Sequence, residues 1–418
     1  MQNHLPAFWG VTAILAGMMT SPTSAPAVVT IPTAHVGNPG NAADTTGYGA
    51  VTYDYNIAKY DITNTQYAEF LNLKATSGDP YGLYNENMTT ATQGGITRSG
   101  TTTFTYAPTT GYANKPVIYE TWYDAIRFIN WLTNGQGSGD TESGTYTITN
   151  GGFNSGTVVI PGASQRAAWA ASGETHWLLP SENEWYKAAY YKGGNTNAGY
   201  WAYPFQSNAV PVSQAPPGGS NSANFYGPSG FALTHSTTFD SSLTYVTDVG
   251  AYSSGRSPYG AYDMGGNVWQ WNETIIGSAR GIRGSGWYDS SDYLASSNSL
   301  SQVPAAESAY IGFRVASVGM IVGDLNGDSA VNNFDISPFE LALTDSATYL
   351  AQHPTLTNYP QRGDVNYDGA FNNFDISTFE QLLTGAPAAV VPEPSTFALL
   401  AIGGAGLLLW VRRRKASA

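Results

Sequence analysis

No cysteine occurs anywhere in the 418 residues. Disulfides, thiolate metal sites and thiol nucleophiles are therefore excluded, even for a chain bound for an oxidising compartment. What remains must fold through its core, and the length suits one large domain with a smaller appendage. Charged residues make up only 11% of the chain, whereas Gly, Ser, Thr, Asn and Tyr abound, as in loop-rich extracellular proteins. Aromatics at 13% exclude disorder as the main state. The formal charge of −13 argues against nucleic-acid binding, because the one tight basic cluster is Arg412-Arg413-Arg414-Lys415. An acidic balance favours cations instead.

Both ends carry export features. An apolar stretch from Phe8 to Met19 leads to Ser24-Ala25-Pro26-Ala27, small residues suited to signal-peptidase cleavage, so residues 1–27 are read as a signal peptide. The basic start of such a peptide is weak, and a buried N-terminal strand is the alternative. At the other end Thr396–Val411 is an unbroken apolar run, slightly shorter than the roughly 17–25 residues of a spanning helix. Its basic flank is expected to stay cytoplasmic.

Three helix starts follow one rule: a Ser or Thr caps the first turn, and an acid or amide three residues on reaches back. They are Thr63 with Gln66, Thr121 with Asp124, and Ser181 with Glu184. The stripes behind them are Tyr67, Phe70 and Leu71, then Trp122, Ile126 and Ile129, then Trp185, Ala188 and Ala189, each a helix burying one face. Elsewhere Gly, Asn-Gly and Pro-Gly clusters separate short β-branched runs, which predicts short strands and much irregular chain. Asn134 to Ser172 reads as a surface insertion.

The second constraint is an internal repeat. Gly323 to Asp335 is nearly duplicated at Gly363 to Asp375, forty residues on. Oxygen side chains stand at loop positions one, three, five, nine and twelve, with a carbonyl at seven, the spacing that wraps calcium. The first set is Asp324, Asn326, Asp328, the Ala330 carbonyl, Asn332 and Asp335; the second is Asp364, Asn366, Asp368, the Ala370 carbonyl, Asn372 and Asp375. Each loop is expected to feed a helix capped by Ser337 with Glu340, or Ser377 with Glu380. The apolar faces would be Ile336, Phe339 and Leu343, or Ile376, Phe379 and Leu383.

Five ordered motifs resemble the formylglycine-generating, or sulfatase-modifying factor, family across roughly residues 48–317. Tyr60 to Phe70 is similar to that family's "EVTNAQYAEF", Pro116-Val117 through Leu132 to "PV…SWYDA…NWL", and Leu179 to Trp185 to "LPTEAEW". Gly260 to Trp271 resembles "GLYDMGGNVWEW", and Ile311 to Val315 the closing "GFR" strand. The resemblance implies an α+β, C-type-lectin-like formylglycine-generating-enzyme fold with sparse secondary structure over residues 28–318. It also implies an oxidase holding copper through two cysteines just after an "RGGSW" segment, here Arg283-Gly284-Ser285-Gly286-Trp287. Those places fall near Asp289 and Leu294, and neither residue replaces a soft thiolate toward Cu(I). Iron-using branches cluster histidines, whereas His35, His176 and His235 are scattered. Two family calcium sites map here, one onto Asp263, Gly266, Val268 and Gln270, where Gln270 stands for the usual glutamate, and one beginning at Asn224 with the Phe225 carbonyl. Ordinary loop hydrogen bonding is the competing account of both.

The repeat pair, residues 323–385, resembles a type I dockerin, a small α-helical calcium-binding domain whose family binds cohesins. Asn333-Phe334 and Asn373-Phe374 stand where dockerins often carry polar contacts, and Ser329 stands where the second loop has Gly369. Val391-Pro392-Glu393-Pro394-Ser395, the apolar helix and the Arg-rich end, residues 391–415, resemble a PEP-CTERM sorting signal. That implies an exosortase-type protease and delivery to the surface or matrix of a Gram-negative-type cell, through a transient membrane intermediate or a permanent anchor. The expected function is a non-catalytic surface or matrix protein, with calcium as cofactor and a cohesin-like protein or surface polysaccharide as partner. The alternative is an enzyme of altered, cysteine-independent chemistry, carbohydrate-active or oxidative, which a cluster of Asp289, Asp292 and Glu307 would revive; Tyr288, Asp289 and Asp292 are groove candidates.

Overall fold

A computed structural model describes residues 29–384, apart from 173–174, 320–321, 328–330, 355, 357–358 and 367–369. The stretch read as a signal peptide, residues 1–27, the expected apolar helix of the PEP-CTERM segment, residues 391–415, and the ligand candidates Asp328, Ala330 and Asp368 lie outside the described residues. No described helix is long and apolar enough to cross a membrane.

All three capping boxes close in both directions. Thr63, Thr121 and Ser181 accept from the backbone N–H three residues on, and Gln66, Asp124 and Glu184 return the contact to the cap. They start α1 (Asn64–Lys74), α2 (Trp122–Thr133) and α4 (Glu182–Tyr190), with α3 (Ala163–Ser172) between the last two. The predicted stripes are buried in each. For α2 a stripe understates the burial, because every residue from Asp124 to Leu132 is buried. A helix covered all round belongs to the interior. Phe128 is its centre: the rings of Tyr67, Phe70, Trp131 and Phe313 lie 5.4–6.0 Å from it.

Two four-stranded sheets flank this core. The first runs β1 (Thr33–Val36), β2 (Tyr55–Ala58), β8 (Ala316–Val318), β3 (His176–Leu178), antiparallel throughout, with Ala316 between Ile57 and Leu178. The second runs β6 (Leu300–Gln302), β5 (Ala279–Arg283), β4 (Trp269–Ile276), β7 (Ile311–Gly312), with one parallel pair, Trp269 beside Ile311. The first sheet joins the two ends of the large domain, so the chain closes on itself.

The segment Asn134 to Ser172 is more than a surface insertion. Its hairpin tip is exposed at Phe153, but Tyr146 and Arg166 are fully buried. The Arg166 guanidinium pairs with Glu184 on α4 at 2.5 Å and with Glu273 on β4, while Tyr146 donates to Glu273 and Tyr53 to Glu184. An arginine buried among carboxylates ties the insertion to helix and sheet at once.

The repeat pair forms its own small core of Leu325, Phe339, Ala342, Tyr349, Val365 and Phe379. Phe339 on α5 (Ile336–Thr344) stacks on Phe379 of α6 (Ile376–Thr384), the same position forty residues on, with centroids 4.0 Å apart. The two repeats therefore meet through equivalent residues. The expected capping by Ser337 and Ser377 is corrected here: both serines lie inside the helices, and Asn332 with Asp335, and Asn372 with Asp375, close the boxes one turn earlier. The loop's last acid doubles as the cap partner, so no serine is needed. Ile336 and Ile376 are also about 40% exposed, while Phe339 and Phe379 are buried.

Candidate functional site

The loop from Asp263 to Gln270 turns sharply because Asp263, Gly266 and Asn267 all have positive φ, at 53°, 81° and 68°. Gly266 has a specific reason to be glycine: a Cβ would stand 2.6 Å from the Asn224 carbonyl oxygen. Asn267 N–H donates to that same oxygen at 2.8 Å, and the Asn224 amide donates to Asn267 Oδ1 and to the Tyr245 carbonyl. The two candidate calcium segments are thus brought together. Phe225 presents its carbonyl to the Ser213 hydroxyl at 2.5 Å, and Val268 is fully buried.

Gln270 is engaged elsewhere. Its Oε1 accepts from Trp185 Nε1 and Arg314 Nε, both at 2.7 Å, and its Nε2 donates to the Asp263 carbonyl. Arg314, fully buried, also donates to the Ala58 and Tyr262 carbonyls and pairs with Asp61 at 3.3 Å. The positive charge beside Gln270 is this guanidinium. Asp263 accepts from Gly250 N–H at 2.6 Å, and burial pushes its carboxyl up to about 6.

The segment that would carry copper-binding thiolates follows β5. Arg283 is buried and holds Glu182 at 2.6 Å and the Ser296 carbonyl at 2.9 Å, which fixes the strand end. Asp289 Oδ2 then accepts from Trp269 Nε1 at 2.7 Å and Gly286 N–H at 3.3 Å, and burial raises its pKa. Leu294 is fully buried with Phe205, Ala223 and Phe225. One position holds a structural carboxylate and the other an apolar plug, so neither offers a soft donor. Asp292 lies on the short 3-10 turn Ser291–Leu294, and Glu307 accepts from the Asn154 amide at 2.9 Å. Among the described residues no three His, Asp or Glu side chains gather as a metal-holding group, which includes Asp289, Asp292 and Glu307 and the three histidines. Beside this segment Tyr288 and Phe239 are exposed over an aromatic stack of Phe231, Tyr245 and Trp287. The sequence reading missed Phe239 and Phe231, which lie far from any motif.

In the repeat pair the loop ends are already drawn in. Asp335 accepts from Leu325, Asn326 and Asn332 N–H groups, and Asp375 from Asn366 and Asn372, so position twelve closes each loop on its start. Asp324 is buried and accepts from Gly327 N–H at 2.7 Å, and the Asn372 amide donates to the Ala370 carbonyl. Phe334 and Phe374, adjacent to these loops in equivalent places, are 78% and 77% exposed. An all-oxygen donor set on closed loops fits calcium chemistry.

The chain was compared with known proteins. A family model for the sulfatase-modifying factor enzyme 1-like domain matches residues 16–318, and one for the PEP-CTERM protein-sorting motif matches residues 390–415. Inactive C-alpha-formylglycine-generating enzyme 2 of Bos taurus is 30% identical over 151 residues, 33% of this chain and 43% of that protein. Its Mus musculus counterpart is 30% identical over the same length, 42% of that protein. The match spans less than half the length of these relatives. Among solved structures, Treponema denticola variable protein 1 aligns over 69% of this chain and 97% of its own at 19% identity and a TM-score of 0.39. PvdO from Pseudomonas aeruginosa aligns over 69% and 92% at 16% identity and 0.35. On the match over residues 16–318, the chain belongs to the sulfatase-modifying factor enzyme 1-like family and ends in a PEP-CTERM sorting motif.

Proposed function

We propose that this is a non-catalytic, exported cell-surface or matrix protein, in which the sulfatase-modifying factor fold is a binding scaffold and the repeat pair a calcium-dependent, dockerin-like attachment module. The observation that carries the reading is chemical: the chain has no thiol, and Asp289 and Leu294 stand in the segment that would need two. The mammalian relatives bear the word inactive in their names, which agrees with a fold retained without its oxidase chemistry. The PEP-CTERM motif supports sorting by an exosortase-type protease. Phe334 and Phe374, solvent-facing aromatics repeated at forty residues, supply an apolar contact pair for a cohesin-like partner.

Two measurements test the reading. Given copper, oxygen and a cysteine-containing sulfatase peptide, the chain is expected to form no aldehyde; mass-spectrometric detection of formylglycine would overturn the non-catalytic assignment. Calorimetric calcium titration of residues 28–390 is expected to release heat that residues 28–318 do not. Heat retained by the shorter chain would assign calcium to the large domain, and no heat from either would refute the attachment module.

A further inference from the structure

Glu120 stands just before α2, where the chain enters the interior. It is fully buried, at 0% exposure, and neither carboxyl oxygen meets a hydrogen-bond donor from another described residue. Asp124 is better placed: its Oδ2 accepts the Thr121 N–H at 2.8 Å and the Thr121 hydroxyl at 2.7 Å, and so takes up donors of the helix start. The charges that act most on Glu120 are those of Asp124 on α2, Asp61 ahead of α1 and Glu307 beyond β6, all acids. Asp61 and Asp124 have their own arginines, Arg314 and Arg127. A lone carboxylate in an apolar interior is too costly to keep, so Glu120 is held neutral. Burial pushes its carboxyl well above the ordinary 4.5.

The residue before it carries backbone strain. Tyr119 has a φ of 67°, a left-handed conformation that bulky side chains rarely adopt. Two hydrogen bonds hold the turn: Tyr119 N–H donates to the Ser308 carbonyl at 3.1 Å, and Trp122 N–H to the Pro304 carbonyl at 3.0 Å. The same segment supports the aromatic stack beside Asp289, because Trp287 Nε1 donates to the Ala309 carbonyl at 3.2 Å and Trp269 N–H to the Tyr310 carbonyl at 2.8 Å. Tyr119 itself packs against the cluster that holds Phe231, Tyr245 and Trp287. A strained turn, a buried acid and an aromatic face thus share one set of contacts.

We propose that the Tyr119–Glu120 turn is a proton-dependent latch on this aromatic face. Neutral Glu120 keeps the turn shut. Ionisation requires the carboxylate to reach water, which releases the turn, the 304–310 segment bonded to it and the support of Trp287. Shut, the carboxyl holds its proton; open, it titrates as an ordinary acid. The shut state is therefore fully favoured below about 4.5 and is lost as pH rises toward the raised value of the buried group.

Hydrogen exchange of the full chain from pH 5 to 9, corrected for the chemical exchange rate and read by mass spectrometry on residues 116–124 and 303–310, tests this. Protection in both segments is expected to fall by roughly tenfold per pH unit, the slope of one released proton. Glu120→Gln, which keeps the shape and cannot ionise, should remove that slope, and Glu120→Leu should do the same. Asp61, Asp124 and Glu307 are present in all three proteins, so the difference belongs to Glu120. A slope that survives in either variant, or protection in the native chain that does not fall with pH, would overturn the latch. The second of these results needs no variant to fold.

Discussion

Arg166→Leu is expected to destabilise the large domain by about 3–5 kcal/mol, the range for removing one partner of a buried ion pair. The guanidinium is 2% exposed and lies between two carboxylates that are 0% and 5% exposed. Removing it leaves Glu184 and Glu273 facing each other in the interior, with Tyr53 and the Ser181 N–H still donating to Glu184 and Tyr146 to Glu273. A chemical-denaturation midpoint reads the loss, and a change under about 1 kcal/mol would show that the network is dispensable. Adding Glu184→Gln and Glu273→Gln to the variant should recover part of the stability, since neutral amides leave no uncompensated charge.

The same network predicts a pH dependence. Burial pushes the Glu273 carboxyl up from an ordinary 4.5 to about 7, against the opposing pull of Arg166. A carboxyl whose folded value lies above its unfolded one contributes stability that is complete below about 4.5 and is lost as pH rises through about 7. Without Arg166 that loss should be steeper, so the variant's deficit should be larger at pH 8 than at pH 5. A deficit equal at both would remove Glu273 from the explanation.

Phe128→Ala is the second large effect, with an expected loss of about 3–5 kcal/mol. Phe128 is fully buried, and four aromatic rings surround it at 5.4–6.0 Å. Truncation removes the ring's burial, opens a cavity and forfeits edge-to-face contacts with Phe70 and Phe313. Phe128→Leu, which keeps most of the volume, should lose about 1 kcal/mol. Thermal or denaturant unfolding separates the two; equal losses would mean that the site collapses freely around any smaller side chain.

These two residues show where reading the chain stops. Trp122, Ile126 and Ile129 were visible as a helical stripe, but Phe128 lies off it, and only the neighbouring helix and the segment carrying Phe313 bury that side too. Arg166 sits in a Gly-rich segment with no motif, and its partners lie 18 and 107 positions away. Likewise Gln270 was legible as a departure from a glutamate pattern, yet its engagement with Arg314, 44 residues on, was not.

What the sequence determined by itself is therefore what depends on spacing of a few residues or on composition. The three capping boxes, the closed loops around Asp335 and Asp375, and the absence of any thiolate are local or compositional facts, settled before the chain meets itself. The tertiary structure decided which charges share the interior. Arg166 between two glutamates, Arg314 beside Gln270 and Arg362 on Asp324 are contacts across 18 to 107 residues. No local rule specifies them, because the low-dielectric site that makes such a pair strong exists only after the core has closed around it.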